Sequence, residues 1–356
     1  MVQRARRALR GRLHPALPVE GATLAPGKSI QLIDGFSRRI DYIRVSITDR
    51  CNLRCLYCMP KEGMPFKERS ELLTFEEIER VVKAFVMAGV SRVRITGGEP
   101  LVRKGLPDLV RAVSRLDGVK DLSMTTNAGL LERFAEDLKS AGLRRINISL
   151  DSLRHDRFRE ITRGGDLSTV LRGIDKALDV GLVPVKINMV VMRGINDDEL
   201  VEFVKFAAKR HIKLRFIECM PLGRIGFLNK EMYMSTEEIA ENIAKEYPLS
   251  PSAGDGAGPA RYYRAEDLGI DVGFISPISQ HFCSTCNRVR ITAVGKLRLC
   301  LGHDEEIDLR SILRSGINEE ELLSVILDGI RKKPKGHNFV ELSGNVCGEG
   351  MSSIGG

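Results

Sequence analysis

From Tyr42 onward, short runs rich in β-branched residues alternate with stretches whose apolar positions recur every three or four residues. Runs at Tyr42–Ile47, Arg92–Thr96, Lys120–Thr125, Arg145–Leu150, Pro184–Val191 and Lys213–Glu218 predict six strands, alternating with amphipathic helices. The first helix is the best marked. Thr74 stands at its N-cap, Glu77 completes a capping box, and Phe75, Ile78, Val82 and Phe85 form one apolar face before Gly89 ends it. Another is predicted from Asn196, with Glu199 in the matching capping position and Leu200, Phe203, Val204 and Ala207 on one face. Six such β/α units make either part of a parallel barrel or an open doubly wound sheet. The alternation stops after Met220, which predicts a β/α domain over 33–220 and a second, carboxyl-terminal domain over 221–356. Residues 1–32 are expected to be a basic, disordered extension.

Composition narrows the class. With 43% hydrophobic and 29% charged residues the chain suits a globular protein, and it has no run of eighteen apolar residues that predicts a transmembrane helix. Five of the eight net positive charges fall in residues 1–28, where Arg4, Arg6, Arg7, Arg10, Arg12 and Lys28 face only Glu20. The +3 left over suits a pocket for a polyphosphate better than a broad nucleic-acid face. The basic arm reads as a disordered tail, a start placed too far upstream, or a transit peptide lacking serine before Ser29. Gly21 to Ser29 imitates a phosphate loop, but five residues separate Gly21 from Gly27 where four are required, and no strand precedes it.

Cysteines carry the chemistry. Cys51, Cys55 and Cys58 sit within eight residues just after the first predicted strand, in Cys51-Asn52-Leu53-Arg54-Cys55-Leu56-Tyr57-Cys58. A structural zinc site wants a fourth ligand, whereas a 4Fe-4S cluster held by three cysteines keeps one iron open for a small molecule. Cys283, Cys286 and Cys300 form a second triad, flanked by His281 and His303, so a zinc ribbon completed by a histidine stands as its alternative. Six of eight cysteines lie in these triads, which points to a reducing compartment rather than a disulfide scaffold.

The first triad resembles the signature of the radical S-adenosylmethionine (SAM) superfamily. Together with Cys283-Ser284-Thr285-Cys286-Asn287-Arg288-Val289-Arg290 and the terminal Gly355-Gly356, it resembles the GTP 3′,8-cyclase family over about residues 30 to 356. The resemblance implies a partial six-unit (β/α) barrel, with an α+β auxiliary-cluster domain covering its lateral opening. It implies two 4Fe-4S clusters on the two triads, SAM as cofactor, and GTP as substrate. The implied reaction removes the ribose 3′ hydrogen, joins that carbon to purine C8, and yields (8S)-3′,8-cyclo-7,8-dihydroguanosine 5′-triphosphate for molybdenum cofactor biosynthesis. A downstream cyclic pyranopterin monophosphate synthase and an electron donor are the implied partners, and a homodimer is compatible.

Site residues follow by position. Thr96-Gly97-Gly98-Glu99-Pro100 follows the second strand, Thr125-Thr126-Asn127 ends the third and Ser149-Leu150-Asp151 the fourth, so all face one rim. The resemblance implies SAM contacts from Tyr57, Gly98, Ser149 and Met220. It implies GTP contacts from Arg44, Arg94, Thr125, Lys186, Arg288 and Arg290, with Arg92 and Arg215 as weaker candidates on neighbouring strands. Arg44, Arg288 and Arg290 are also expected to steady charge on the purine during catalysis. Cys219 reads as a core side chain, Cys347 in the glycine-rich tail has no counterpart role in the family, and the resemblance implies that Gly355 and Gly356 enter the barrel mouth.

Two other functions remain open on sequence grounds: a radical SAM peptide-modifying enzyme with an auxiliary cluster, and a non-catalytic adaptor with two zinc sites. The paired Arg288 and Arg290 favour a nucleotide over a peptide. The expected location is bacterial cytoplasm, or the mitochondrial matrix in a eukaryote.

Overall fold

The structure is a computed structural model that describes residues 31–221, 231–254, 258–337, 339 and 351–355. The basic arm up to residue 30, Cys347 and Gly356 lie outside the described residues. Strands β1 (Tyr42–Ser46), β2 (Arg92–Thr96), β3 (Asp121–Thr126), β4 (Arg145–Ser149), β5 (Val185–Val191) and β6 (Lys213–Glu218) fall within one residue of their predicted ends. They pair in parallel and in chain order, as β/α units do.

Beyond residue 220 the described residues form six further strands: β7 (Leu249–Ser252), β8 (Arg261–Ala265), β9 (Ile270–Ile275), β10 (Arg288–Ile291), β11 (Lys296–Arg298) and β12 (Glu306–Asp308). All join one sheet, in the order β12-β11-β10-β1-β2-β3-β4-β5-β6-β9-β8-β7. β10 runs parallel to β1 and β9 parallel to β6, so eight parallel strands form the centre. Antiparallel β11–β12 and β8–β7 finish the two edges and leave the barrel unclosed. The carboxyl-terminal strands thus extend the β/α sheet at both edges.

Helix α1 (Phe75–Met87) carries the predicted reciprocal cap, with Glu77 N donating to Thr74 Oγ1 at 3.2 Å and Thr74 N donating to Glu77 Oε2 at 2.8 Å. Ile78, Val81, Val82, Ala84 and Phe85 bury its inner face. The helix after Asn196 departs from expectation. Asp197–Glu199 form one 3-10 turn, the α-helix begins at Leu200, and no capping box closes. Asn196 instead donates to the carbonyls of Asp151 and Val190, at 2.8 and 3.0 Å. Glu199 accepts from Ser152 Oγ and Leu153 N, both at 2.7 Å. Both side chains are buried, so satisfying polar groups at the ends of β4 and β5 outweighs a local cap.

Candidate functional site

The first cysteine loop leaves β1 and is fastened at several points. Leu56 N and Arg54 N donate to the carbonyls of Ile161 and Thr162, and Cys58 N turns back onto Cys55 O at 3.0 Å. Gly97 and Gly98 pack under it. A Cβ on Gly97 would sit 2.8 Å from Thr48 O, and one on Gly98 would strike Arg50 O. The close approach expected of these glycines is therefore made first to the base of the cysteine loop. Glu99 then ties β2 to β3, accepting from Thr126 Oγ1 and Asn127 N, both at 2.7 Å. Burial pushes its carboxyl up to about 7 against those hydrogen bonds. Tyr57 donates to Asp151 Oδ2 at 2.8 Å, joining the loop to the end of β4.

The three thiols face one another electrostatically. Burial pushes Cys55 well up, with Asp151, Cys58 and Cys51 adding to it, and burial pushes Cys51 up to about 11. In the second triad, burial raises Cys300, with Cys286 and Cys283 adding. Burial also raises Cys286, but Lys333, Arg288 and Arg38 outweigh it and hold the thiol below its usual value. None of the described cysteines is in a disulfide.

Among the described residues, the group whose ligand atoms all lie within 4.8 Å of one another is His281, Cys283 and His337, so Cys283 stands beside two imidazoles. Cys51, Cys55 and Cys58 leave one loop as three thiols outside any disulfide, the donor set that suits one 4Fe-4S cluster with an open iron. Cys283, Cys286 and Cys300 offer the same set of three. His303, the other flanking histidine, bonds the carbonyl of Gly336 at 2.8 Å instead.

Beside the first triad lies a cavity of about 270 Å³; Cys283, Cys286 and Cys300 are not in its lining, although Phe282 and Leu301, next to two of them, are. It brings together Cys51, Cys55, Tyr57, Cys58, Gly98, Ser149 and Met220 on one side and Phe282, Arg288 and Arg290 on the other. Arg44, Arg94, Thr125 and Arg215 also line it. Sheet register explains the arginines: Arg290 on β10, Arg44 on β1 and Arg94 on β2 are direct neighbours in adjacent parallel strands. Parallel neighbours share a face, so three guanidiniums meet in one row.

This crowding is costly. Burial, then Arg44 and Arg215, take Arg94 down to about 9 despite Tyr42, and burial takes Arg215 down to about 10. Burial, then Arg44 and Arg288, hold Arg290 well below its usual value. Tyr42 responds oppositely: burial raises its phenol, but Arg94, Arg44 and Arg288 bring it to about 8. Among the described residues, five arginines line the cavity against one carboxylate, Glu218. That carboxylate is already taken by Thr236 N, Ile278 N and Ser279 N at 2.8–3.1 Å. Meanwhile Arg44 Nε, Arg215 Nε, Arg288 Nε, Thr125 Oγ1 and Asn188 Oδ1 are buried without hydrogen-bond partners. Buried cations and orphaned polar atoms together specify a polyanionic ligand rich in hydrogen-bonding groups.

Two cationic candidates stand apart. Arg92 turns to Asp41, at 3.0 Å, and does not line the cavity. Lys186 is buried near Arg215 and Arg94 but is also outside the lining; burial first, then Arg215 and Arg145, lower it to about 7. Tyr42 and Asn188 were not singled out by sequence, although each lies two residues from a candidate, Arg44 and Lys186, on the same strand face. Lys333 and Arg38, beside the second triad, had no such signal.

The described end of the chain returns here. Met351 lines the cavity, Ile354 is buried, and Arg290 Nη1 donates to the carbonyl of Gly355.

Residues 45–207 match the model of the Radical SAM superfamily, and residues 212–339 match Molybdenum Cofactor Synthesis C. GTP 3′,8-cyclases from Alkaliphilus oremlandii and Pelotomaculum thermopropionicum are each 48% identical, over 91% of this chain and 99% of theirs. That of Hydrogenovibrio crunogenus is 45% identical over the same shares. Among solved structures, Streptococcus suis SuiB bound to precursor peptide SuiA aligns with TM-score 0.59 at 15% identity, over 98% of this chain and 85% of SuiB. At that identity the likeness concerns the fold alone.

Proposed function

The chain belongs to the GTP 3′,8-cyclase family of the radical SAM superfamily, and from that premise we propose which residues hold its cofactors and its substrate. The activity is conversion of GTP to (8S)-3′,8-cyclo-7,8-dihydroguanosine 5′-triphosphate, the first step of molybdenum cofactor biosynthesis. Its cofactors are two 4Fe-4S clusters and SAM. When bound, the first cluster and SAM supply the hydrogen abstraction that starts the reaction.

The chain's own residues do the rest. Cys51, Cys55 and Cys58 hold the first cluster, and Tyr57, Gly98, Ser149 and Met220 seat SAM beside it. Cys283, Cys286 and Cys300 would hold the second cluster, next to Phe282 and Leu301 of the cavity wall. Arg44 and Arg94 receive the triphosphate with Lys186 behind them, and Thr125 donates its unpaired hydroxyl to the nucleotide. Arg288 and Arg290 face the purine and ribose. Fixed on one wall of the sheet, these groups hold the ribose and purine in register, which is the main demand of an intramolecular ring closure. Arg44, Arg288 and Arg290 then offset negative charge developing on the purine, in a cavity where each is worth more than in water.

The observation that carries this reading is the arginine row Arg290–Arg44–Arg94, which lines the cavity with no free carboxylate among the described residues. A peptide substrate gives no reason for it; a triphosphate does. The cyclic pyranopterin monophosphate synthase consumes the product, a low-potential carrier delivers electrons, and the protein works in the bacterial cytoplasm. The relatives named above are bacterial, and no helix among the described residues is long and apolar enough to cross a membrane. Anaerobic incubation of the reconstituted protein with SAM, reductant and GTP tests the assignment. Cyclised nucleotide with matching 5′-deoxyadenosine is expected; turnover of a peptide instead, with no nucleotide product, would refute it.

A further inference from the structure

Lys333 is 2% exposed and does not line the cavity. Its Nζ donates to the carbonyl of Leu299, the residue before Cys300. A buried ammonium is tolerated when a negative charge compensates it. Among the described residues, its charged neighbours include Cys286, Cys300, Arg38 and Asp34. Asp34 is already spent: its Oδ2 pairs with Arg38 Nε at 2.6 Å, and its Oδ1 accepts from Phe36 N and Arg38 N. Arg38 in turn is satisfied by that carboxylate and by the carbonyls of Cys283, Pro334 and Lys335. Asp34 and Arg38 therefore cancel. Among these neighbours, what remains to compensate Lys333 is the sulfur pair Cys286 and Cys300 of the second triad.

We propose that Lys333 is a counter-charge of the second cluster, a positioning residue that offsets the negative charge of the triad's thiolates from a buried position. This rests on the triad's being a cluster site. Two consequences follow. A fixed cation beside an iron-sulfur unit favours its more negative, reduced form and so raises its reduction potential. Without the cluster, the same cation is an uncompensated burden on the fold.

The test uses the full-length chain carrying Cys51→Ala, Cys55→Ala and Cys58→Ala, so that the second cluster alone is reconstituted and titrated with dithionite under electron paramagnetic resonance. Relative to this parent, Lys333→Met is expected to lower the reduced-to-oxidised ratio at a given potential about tenfold, about 59 mV for one electron, or to lose the second-cluster iron. Lys333→Arg is expected to stay within about threefold of the parent. In the cluster-free state Lys333→Met should melt at or above the parent's temperature, because it removes a buried charge. An unchanged midpoint and iron content in Lys333→Met overturns the proposal. So does a lower melting temperature of its cluster-free form, which would make Lys333 a structural donor to Leu299. A parent that takes up no iron at all overturns the cluster reading, and the role of Lys333 with it.

Discussion

Arg290 donates a hydrogen bond to the carbonyl of Gly355, so the end of the chain is held by one of the three arginines that meet in a row across β10, β1 and β2. Gly355 has φ +84°, and a Cβ there would lie 2.8 Å from Thr96 Cγ2 and 2.9 Å from Ser46 Cβ. The tail thus reaches the carboxyl ends of β1 and β2, where a side chain does not fit.

Deleting Gly355 and Gly356, or introducing Gly355→Ala, is accordingly expected to cut cyclisation sharply while cluster iron and GTP affinity stay near normal. Product formation, iron content and nucleotide binding measured anaerobically on the same preparations check this. Full turnover by the truncated chain would show that the tail contact is incidental.

The two triads are expected to fail differently. Cys51→Ala, Cys55→Ala or Cys58→Ala should abolish SAM cleavage, since each removes a ligand of the cluster beside the SAM contacts. Cys283→Ala, Cys286→Ala or Cys300→Ala should leave some 5′-deoxyadenosine formation uncoupled from nucleotide product. Quantifying the two products separately decides it, and normal cyclisation by a second-triad variant would count against a substrate-anchoring cluster.

Arg94→Ala and Lys186→Ala should weaken GTP binding far more than SAM binding. A charge-assisted phosphate contact is worth about 1.5–3 kcal/mol, roughly a tenfold to hundredfold change in affinity. Guanosine, which has no phosphates, should show a much smaller loss. Equal losses for GTP and guanosine would mean that these cations only support the sheet.

Lys186, lowered to about 7 by burial and its cationic neighbours, is expected to couple GTP binding to pH. Above pH 7 the free protein holds Lys186 mostly neutral; an arriving triphosphate raises its pKa, so binding takes up a proton. Below about pH 6 the lysine is already charged and uptake should vanish. Calorimetry at pH 8 in buffers of different ionisation enthalpy should show proton uptake that falls in Lys186→Met. Uptake unchanged by that substitution would assign the proton elsewhere, with Tyr42 at about 8 the next group to examine.

By itself the sequence determined the local frame. The strand ends, the cap of α1 at Thr74 and Glu77, and the spacing of both cysteine triads are set by neighbours within a few residues, and all appear in the structure where the pattern puts them. Tertiary structure decided what depends on pairing across the chain. That Arg290 lies beside Arg44 follows from β10 pairing with β1, and register between distant strands is written in no local pattern. The same holds for Asn196, drawn from its cap by carbonyls of Asp151 and Val190, and for Arg92, drawn from the site by Asp41. It holds for Lys333, whose partners become visible only once folding has buried it. Apolar periodicity records which face of an element is inside, whereas a buried charge or amide is placed by the group that satisfies it, and that group belongs to another part of the chain.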